Sequence, residues 1–148
     1  MTNTYKLIQL TNTDIGDIAV DGFIPYGIVT RRINAPYNCC NTFTVTSSTS
    51  DTILINEVGF YKVTYSLTGM AAAAGDVEIT LMSNNSEVYS VSQYVADAAG
   101  SVNLTIVYTL RVRPNCVATP DNIPVNVQIK NTGIALTGVS SNMIIEKV

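Results

Sequence analysis

Histidine is absent from this 148-residue sequence, which removes the commonest general base. No Ser-His-Asp or Cys-His constellation can be assembled without it. Carboxylates can still do acid–base work. Asp76 and Glu78 stand two residues apart, and Glu87 follows across a turn. Such a group serves a glycosidase only inside a cleft that keeps one member protonated. At alternate positions of a strand it is a solvated face, and that reading is preferred. Asp14, Asp17 and Asp21 offer oxygen ligands of the kind calcium takes, but no glycine-punctuated loop gathers them round one ion. No Gly-rich loop opens a helix to cradle a phosphate. The expectation is a protein that is not an enzyme, with no catalytic residue, no cofactor-binding residue, no cofactor and no metal ligand.

Three cysteines, Cys39, Cys40 and Cys116, are too many for one bridge and too few for two. Adjacent cysteines strain the peptide between them if paired. Cys39 or Cys40 reaches Cys116 only if the folded loops meet. Reduced thiols, dispensable for folding, are the preferred reading. Without His or a CxxC knuckle, zinc is not supported. Basic residues cluster only at Arg31-Arg32 and at Arg111 and Arg113. That is no nucleic-acid footprint. Arg111 and Arg113 either meet acidic groups across a subunit boundary or serve solubility. Tyr89, Tyr94, Asn84 and Asn85 suit sugar binding on a tip loop, and equally suit ordinary turns and edges.

The elements that must position these residues are strands. In Gly59-Phe60-Tyr61-Lys62-Val63-Thr64-Tyr65-Ser66-Leu67, Tyr61, Val63, Tyr65 and Leu67 fall on one face. Phe60, Lys62, Thr64 and Ser66 fall on the other. A period of two with one apolar face marks a half-buried strand. The same alternation runs through Val77–Leu81, Val102–Val112 and Val125–Ile129. Ser83-Asn84-Asn85-Ser86 and Asn131-Thr132-Gly133 have turn chemistry. Gln93–Gly100 is too short for an independent helix and is read as a loop with one turn. The alanines Ala71–Ala74 end a strand ahead of a tight turn at Gly75-Asp76. Ile134–Leu136 and Met143–Val148 read as closing strands. Many short strands at regular spacing predict an all-β antiparallel sandwich.

Residues 1–22 read differently. Tyr5–Leu10 and Ile15–Val20 are short apolar pieces separated by Thr, Asn and Asp. They predict an N-terminal arm that docks on a partner, or else an edge hairpin of the same sandwich. Phe23–Val29 reads as the first strand of the main body, residues 23–148.

The apolar share is 47% and the charged share only 13%, about half the usual charged fraction. Either the surface is polar without charge, or other subunits cover part of it. Net charge is −3. No apolar run is long enough to span a bilayer, so no membrane insertion is expected. The N-terminus lacks the pattern of a signal peptide. A surface-type fold without an export signal is a combination typical of virion components, so synthesis in a host cytoplasm and location in a virion are the expectation.

The spacing of Gly59, Tyr61, Val63 and Tyr65 resembles the strand signature of the trimeric jelly rolls of the complement globular-head and tumour-necrosis-factor type. The resemblance covers roughly residues 23–148. Asn142–Val148 is similar to the closing strand of the bacterial branch, found on spore-surface glycoproteins and phage proteins. Asp21–Arg32 looks like small structural proteins of phages. The resemblance implies a jelly-roll sandwich with a short N-terminal arm, assembled as a homotrimer. It implies a non-enzymatic virion structural protein, a capsid decoration or head-fibre-like protein attached to a capsid or other virion protein through residues 1–22. The alternatives are a fibre head that binds a receptor or host-surface glycan, and a bacterial spore- or cell-surface adhesion domain. The sequence has no Gly-X-Y stalk and lacks the aromatic-rich closing strand of the animal members, which weighs against the spore-surface role.

Overall fold

Ten antiparallel strands form two five-stranded sheets packed face to face. The computed structural model describes residues 5–33, 42–46, 50–114 and 122–148. The strands are β1 (Leu7–Ile18), β2 (Ile28–Ile33), β3 (Phe43–Val45), β4 (Ile53–Ile55) and β5 (Gly59–Ala71). They continue as β6 (Gly75–Ser83), β7 (Ser86–Val95), β8 (Ser101–Val112), β9 (Val125–Asn131) and β10 (Leu136–Lys147). The first sheet runs β2-β1-β10-β5-β8 and the second β3-β4-β9-β6-β7. Chain neighbours often lie in opposite sheets, so the molecule is a jelly-roll sandwich. Among the described residues there is no helix, and hence none long and apolar enough to cross a membrane.

The core lies between the sheets and is built by the alternation. Tyr61, Val63, Tyr65 and Leu67 are completely buried, whereas Phe60 between their neighbours is 51% exposed. Aromatic rings lock the layers edge to face, Tyr26 on Tyr65 at 6.3 Å and Phe43 on Tyr61 at 5.8 Å. These offset geometries suit the ring quadrupole. Tyr26 donates its hydroxyl to the Val127 carbonyl at 2.9 Å, so the buried phenol carries no unmet donor. Burial pushes its pKa well up.

The β6–β7 hairpin turns on Asn84 and Asn85, at φ of 48° and 67°, the left-handed conformation that asparagine tolerates. Asn84 then spends its amide on the neighbouring connection. It donates to the Asn122 carbonyl at 3.0 Å and accepts from the Asn126 amide at 2.7 Å.

The structure corrects the reading of residues 1–22. Residues 7–18 are not an arm but β1, an interior strand paired with β10 on one side and β2 on the other. Ile8, Leu10 and Ile18 belong to the core. The polar stretch that suggested an arm is carried through a register shift between Asn12 and Gly16, so the strand continues where the alternation stops. Both edges of β1 are occupied, and it cannot dock by adding to another sheet.

The first body strand is also displaced. Within Phe23–Val29, Ile24 and Tyr26 are buried, but their amides bond to Ile129 and Ser50 of the other layer. This segment crosses between sheets, and β2 begins only at Ile28. Ile134–Leu136 and Met143–Val148 are not two strands. β10 is continuous, with an irregularity between Thr137 and Ser140 where Gly138 takes a positive φ of 57°. Cys39, Cys40 and Cys116 lie outside the described residues.

Candidate functional site

The outer face of the first sheet spans five strands. Its rows follow from register. Gln9 of β1 stands beside Ile144 of β10, Thr64 of β5 and Val107 of β8. The next row is Thr11, Asn142, Ser66 and Thr105. Across these four strands the two rows hold no charge; on β2 the first row ends in Arg31, beside Gln9. Along the strands, charge begins one row further toward the chain ends, where Glu146 stands opposite Lys62. Arg111 then lies over the Phe60 ring at 5.6 Å from its centroid, a cation–π contact. Val107 is 55% exposed, and Ile144 is half-buried.

Side-chain bonds hold the face flat. Gln9 Nε2 and Thr11 Oγ1 both donate to Asn142 Oδ1 at 3.1 Å. Beside them the register shifts in β1 and β10 open a depression of about 240 Å³, lined by Thr11, Asn12, Thr68, Ser140 and Asn142 among others. Ser140 donates to the Thr13 carbonyl at 3.1 Å. Short hydroxyl side chains lose little rotamer entropy when covered. They can also exchange water for a partner's polar groups. The face is chemically suited to being covered and holds no group placed for proton transfer.

A second cluster binds the chain ends. Glu57, in the turn between β4 and β5, takes an ion pair from Lys6 and another from Lys147 at 2.9 Å, plus the Thr42 hydroxyl at 3.0 Å. Burial pushes the Glu57 carboxyl up, but the bonds from Lys6, Lys147 and Thr42 outweigh it and hold the pKa at about 2. The Lys6 side chain is only 6% exposed, and this partner offsets the cost of burying it. Tyr61 donates to the Glu57 carbonyl at 2.8 Å, and the Lys147 amide bonds to the Lys6 carbonyl. Four distant stretches of sequence meet here.

The residues singled out from sequence are mostly scattered. Asp76 and Glu78 do share the outer face of β6, but Glu87 pairs opposite Met82. That is four positions along from Glu78, about 13 Å at strand rise. Glu78 instead accepts the Thr132 hydroxyl at 2.6 Å. Asp17 and Asp21 are exposed, and no group of three metal-ligating side chains occurs among the described residues. Tyr94 is 70% exposed near one end of β7, whereas Asn84 and Asn85 turn at the other end. Tyr89 stacks on Tyr108 at 5.5 Å, where the two sheets meet along β7 and β8. These four residues form no common tip. Arg111 is exposed and Arg113 half-buried.

Sequence reasoning missed the Glu57 cluster and the capping of the β8 edge by Gln93. That carboxamide donates to the Ser101 carbonyl at 2.9 Å and accepts from the Asn103 amide at 3.0 Å. No spacing rule signals the lysine partners of Glu57, which are 51 and 90 residues away, and the Gln93 contacts need the 96–100 turn to fold back first.

The architecture is a jelly-roll sandwich, a fold shared with complement globular-head and tumour-necrosis-factor proteins. The chain is similar in structure to the globular domain of zebrafish complement 1qA protein, at TM-score 0.66 and 8% identity over 97% of this chain and 96% of that one. It is similar to Eiger TNF from S. frugiperda at TM-score 0.70 and 11% identity, over 97% and 91% of the two chains. More particularly, it is similar to the PRD1 vertex protein P5, at TM-score 0.57 and 14% identity over 97% of this chain and 96% of that one. No protein-family profile matches the chain. No curated protein matches it in sequence.

Proposed function

We propose that this chain is a non-enzymatic structural protein of a bacteriophage particle, a homotrimeric jelly roll displayed as a capsid decoration or head-fibre-like protein. The observation that carries the assembly is the outer face of the first sheet. Two rows across β1, β10, β5 and β8 are uncharged, bounded at β2 by Arg31, and include exposed Val107. A monomer leaves that face in water; closed cyclic symmetry covers it, and the family resemblance selects three-fold. The likeness to a phage vertex protein along nearly the whole chain supports the virion setting. Fold alone does not dictate function, so the setting rests on that likeness together with the absence of histidine-based chemistry. Attachment through residues 1–22 is no part of this reading, because β1 is an interior strand.

Light scattering on the purified chain should return three times the 15.9 kDa monomer. Val107→Asp with Ile144→Asp should lower that mass to the monomer while leaving the strand-rich circular dichroism spectrum unchanged. Mass spectrometry of purified particles should find the chain in fixed stoichiometry. A monomer at micromolar concentration defeats the assembly, and absence from particles defeats the setting.

A further inference from the structure

Edge strand β2 is unlike every other long strand of the sandwich. It pairs with β1 along one side, and its other side has no strand partner among the described residues. Consecutive residues of a strand point to opposite faces. Yet Ile28 is 71% exposed and Val29 40% exposed, and Thr30, Arg31 and Arg32 are exposed too. Among the described residues, then, β2 overhangs the sandwich, with no second layer behind it and a row of backbone groups open to pairing. A register shift beside Thr30 interrupts that alternation: Ile28 and Arg31 lie beside Thr11 and Gln9 on one face, Val29 and Arg32 beside Leu10 and Ile8 on the other. Each face therefore presents one apolar side chain and one guanidinium. Neither Arg31 nor Arg32 has an ion pair among the described residues.

We infer that β2 is a docking edge for an extended acidic segment of a different protein, which adds to the first sheet as a sixth strand. Strand addition draws affinity from main-chain bonds and specificity from alternate side chains. An antiparallel segment of the order acidic, acidic, any residue, apolar, apolar sets carboxylates against Arg31 and Arg32 and apolar groups against Ile28 and Val29. Cross-strand pairs of opposite charge and of apolar groups both favour that register. A second copy of β2 fits poorly. Every antiparallel register that pairs at least five of the six residues puts an arginine of one copy opposite or diagonal to an arginine of the other, and like charges so placed repel. The field also favours an acidic segment here. Lys6, Lys62, Lys147 and Arg111 lie toward the same end of the sandwich, where Glu57 and Glu146 offset only two of the four, whereas the turns at the far end, 72–74 and 96–100, carry Asp97 and no basic residue. The inference stands on this edge and needs neither the trimer nor the virion setting.

The test uses the full chain and a fluorescent, end-capped peptide Thr-Glu-Glu-Thr-Val-Val-Thr, with a version carrying Lys for Glu as control. Fluorescence anisotropy should show the acidic peptide binding and weakening as salt rises. Arg31→Glu with Arg32→Glu should weaken it about ten-fold or more without moving the melting temperature. Hydrogen exchange should show new protection of the amides of residues 28–33. No binding at millimolar peptide, equal binding of the Lys control, indifference to the double reversal, or protection elsewhere overturns the inference. A double reversal that changes the light-scattering mass also overturns it, because a second copy would then be the occupant.

Discussion

β5 and β2 belong to the same sheet, and the contrast between them is instructive. β5 is flanked by β10 and β8 and has the second sheet behind it. Its burial alternates almost without a break. β2 sits at the end of the sheet and is exposed on both faces. The same antiparallel pairing gives opposite environments, because alternation of burial comes from a second layer and not from the ladder. Apolar residues in β5 hold the fold together. In β2 they are surface, available to a partner and nearly irrelevant to stability.

The comparison breaks first, if at all, at the centre. Tyr65→Ala should cost about 3–5 kcal/mol, the usual range for removing a large buried ring, read by urea unfolding. A loss below about 0.5 kcal/mol would mean that β5 is not the core strand described. Gly27 is the joint from which β2 departs. Its φ is +84°, and a Cβ there would lie 2.3 Å from the Thr11 carbonyl oxygen. Gly27→Ala should cost more than about 2 kcal/mol, combining left-handed strain with a clash. Hydrogen exchange sharpens the point: residues 28–33 should lose protection while residues 61–67 keep theirs.

Glu57 gives a smaller effect and a pH signature. Glu57→Gln should cost about 1.5–3 kcal/mol, the range for hydrogen bonds to charged groups. In the folded protein the carboxyl titrates at about 2 against an ordinary 4.5. The unfolded chain therefore takes up the proton first as pH falls. The stabilisation is whole above about 4.5, declines below it, and is gone below about 2. Melting curves across that window should drop more steeply for the wild type than for Glu57→Gln. Parallel slopes would remove Glu57 from the account. The smallest effect belongs to the edge: Ile28→Thr with Val29→Thr should stay within about 0.5 kcal/mol of wild type. A loss of several kcal/mol would mean that β2 has a buried face.

The strands with a second layer behind them were legible because their sequence carries the layer's imprint. Gly59–Leu67 and Val102–Val112 alternate, and they fold as strands with the expected faces inward. The Asn84-Asn85 turn was legible from backbone preference alone. Two kinds of segment were not. β1 loses its alternation at Asn12–Gly16, where a register shift absorbs the irregularity. Phe23–Val29 looks like one strand, but up to Gly27 it is a crossing between layers, in which Ile24 and Tyr26 are buried as alternate strand residues would be. Burial pattern does not distinguish the two; only the hydrogen-bond partners do.

By itself the sequence determined the class: no histidine chemistry, alternating strands with turn residues between them, and hence an antiparallel all-β sandwich. Those features are local, set by side-chain period and backbone preference within a few residues. Tertiary structure decided which strands became neighbours. It made β1 an interior strand, and it left β2 overhanging. It brought Lys6, Thr42 and Lys147 onto Glu57, and it laid Gln9, Ile144, Thr64 and Val107 in one uncharged row. These are pairings between residues far apart in the chain. They follow from how two sheets close over one core, a choice that no short window of sequence contains.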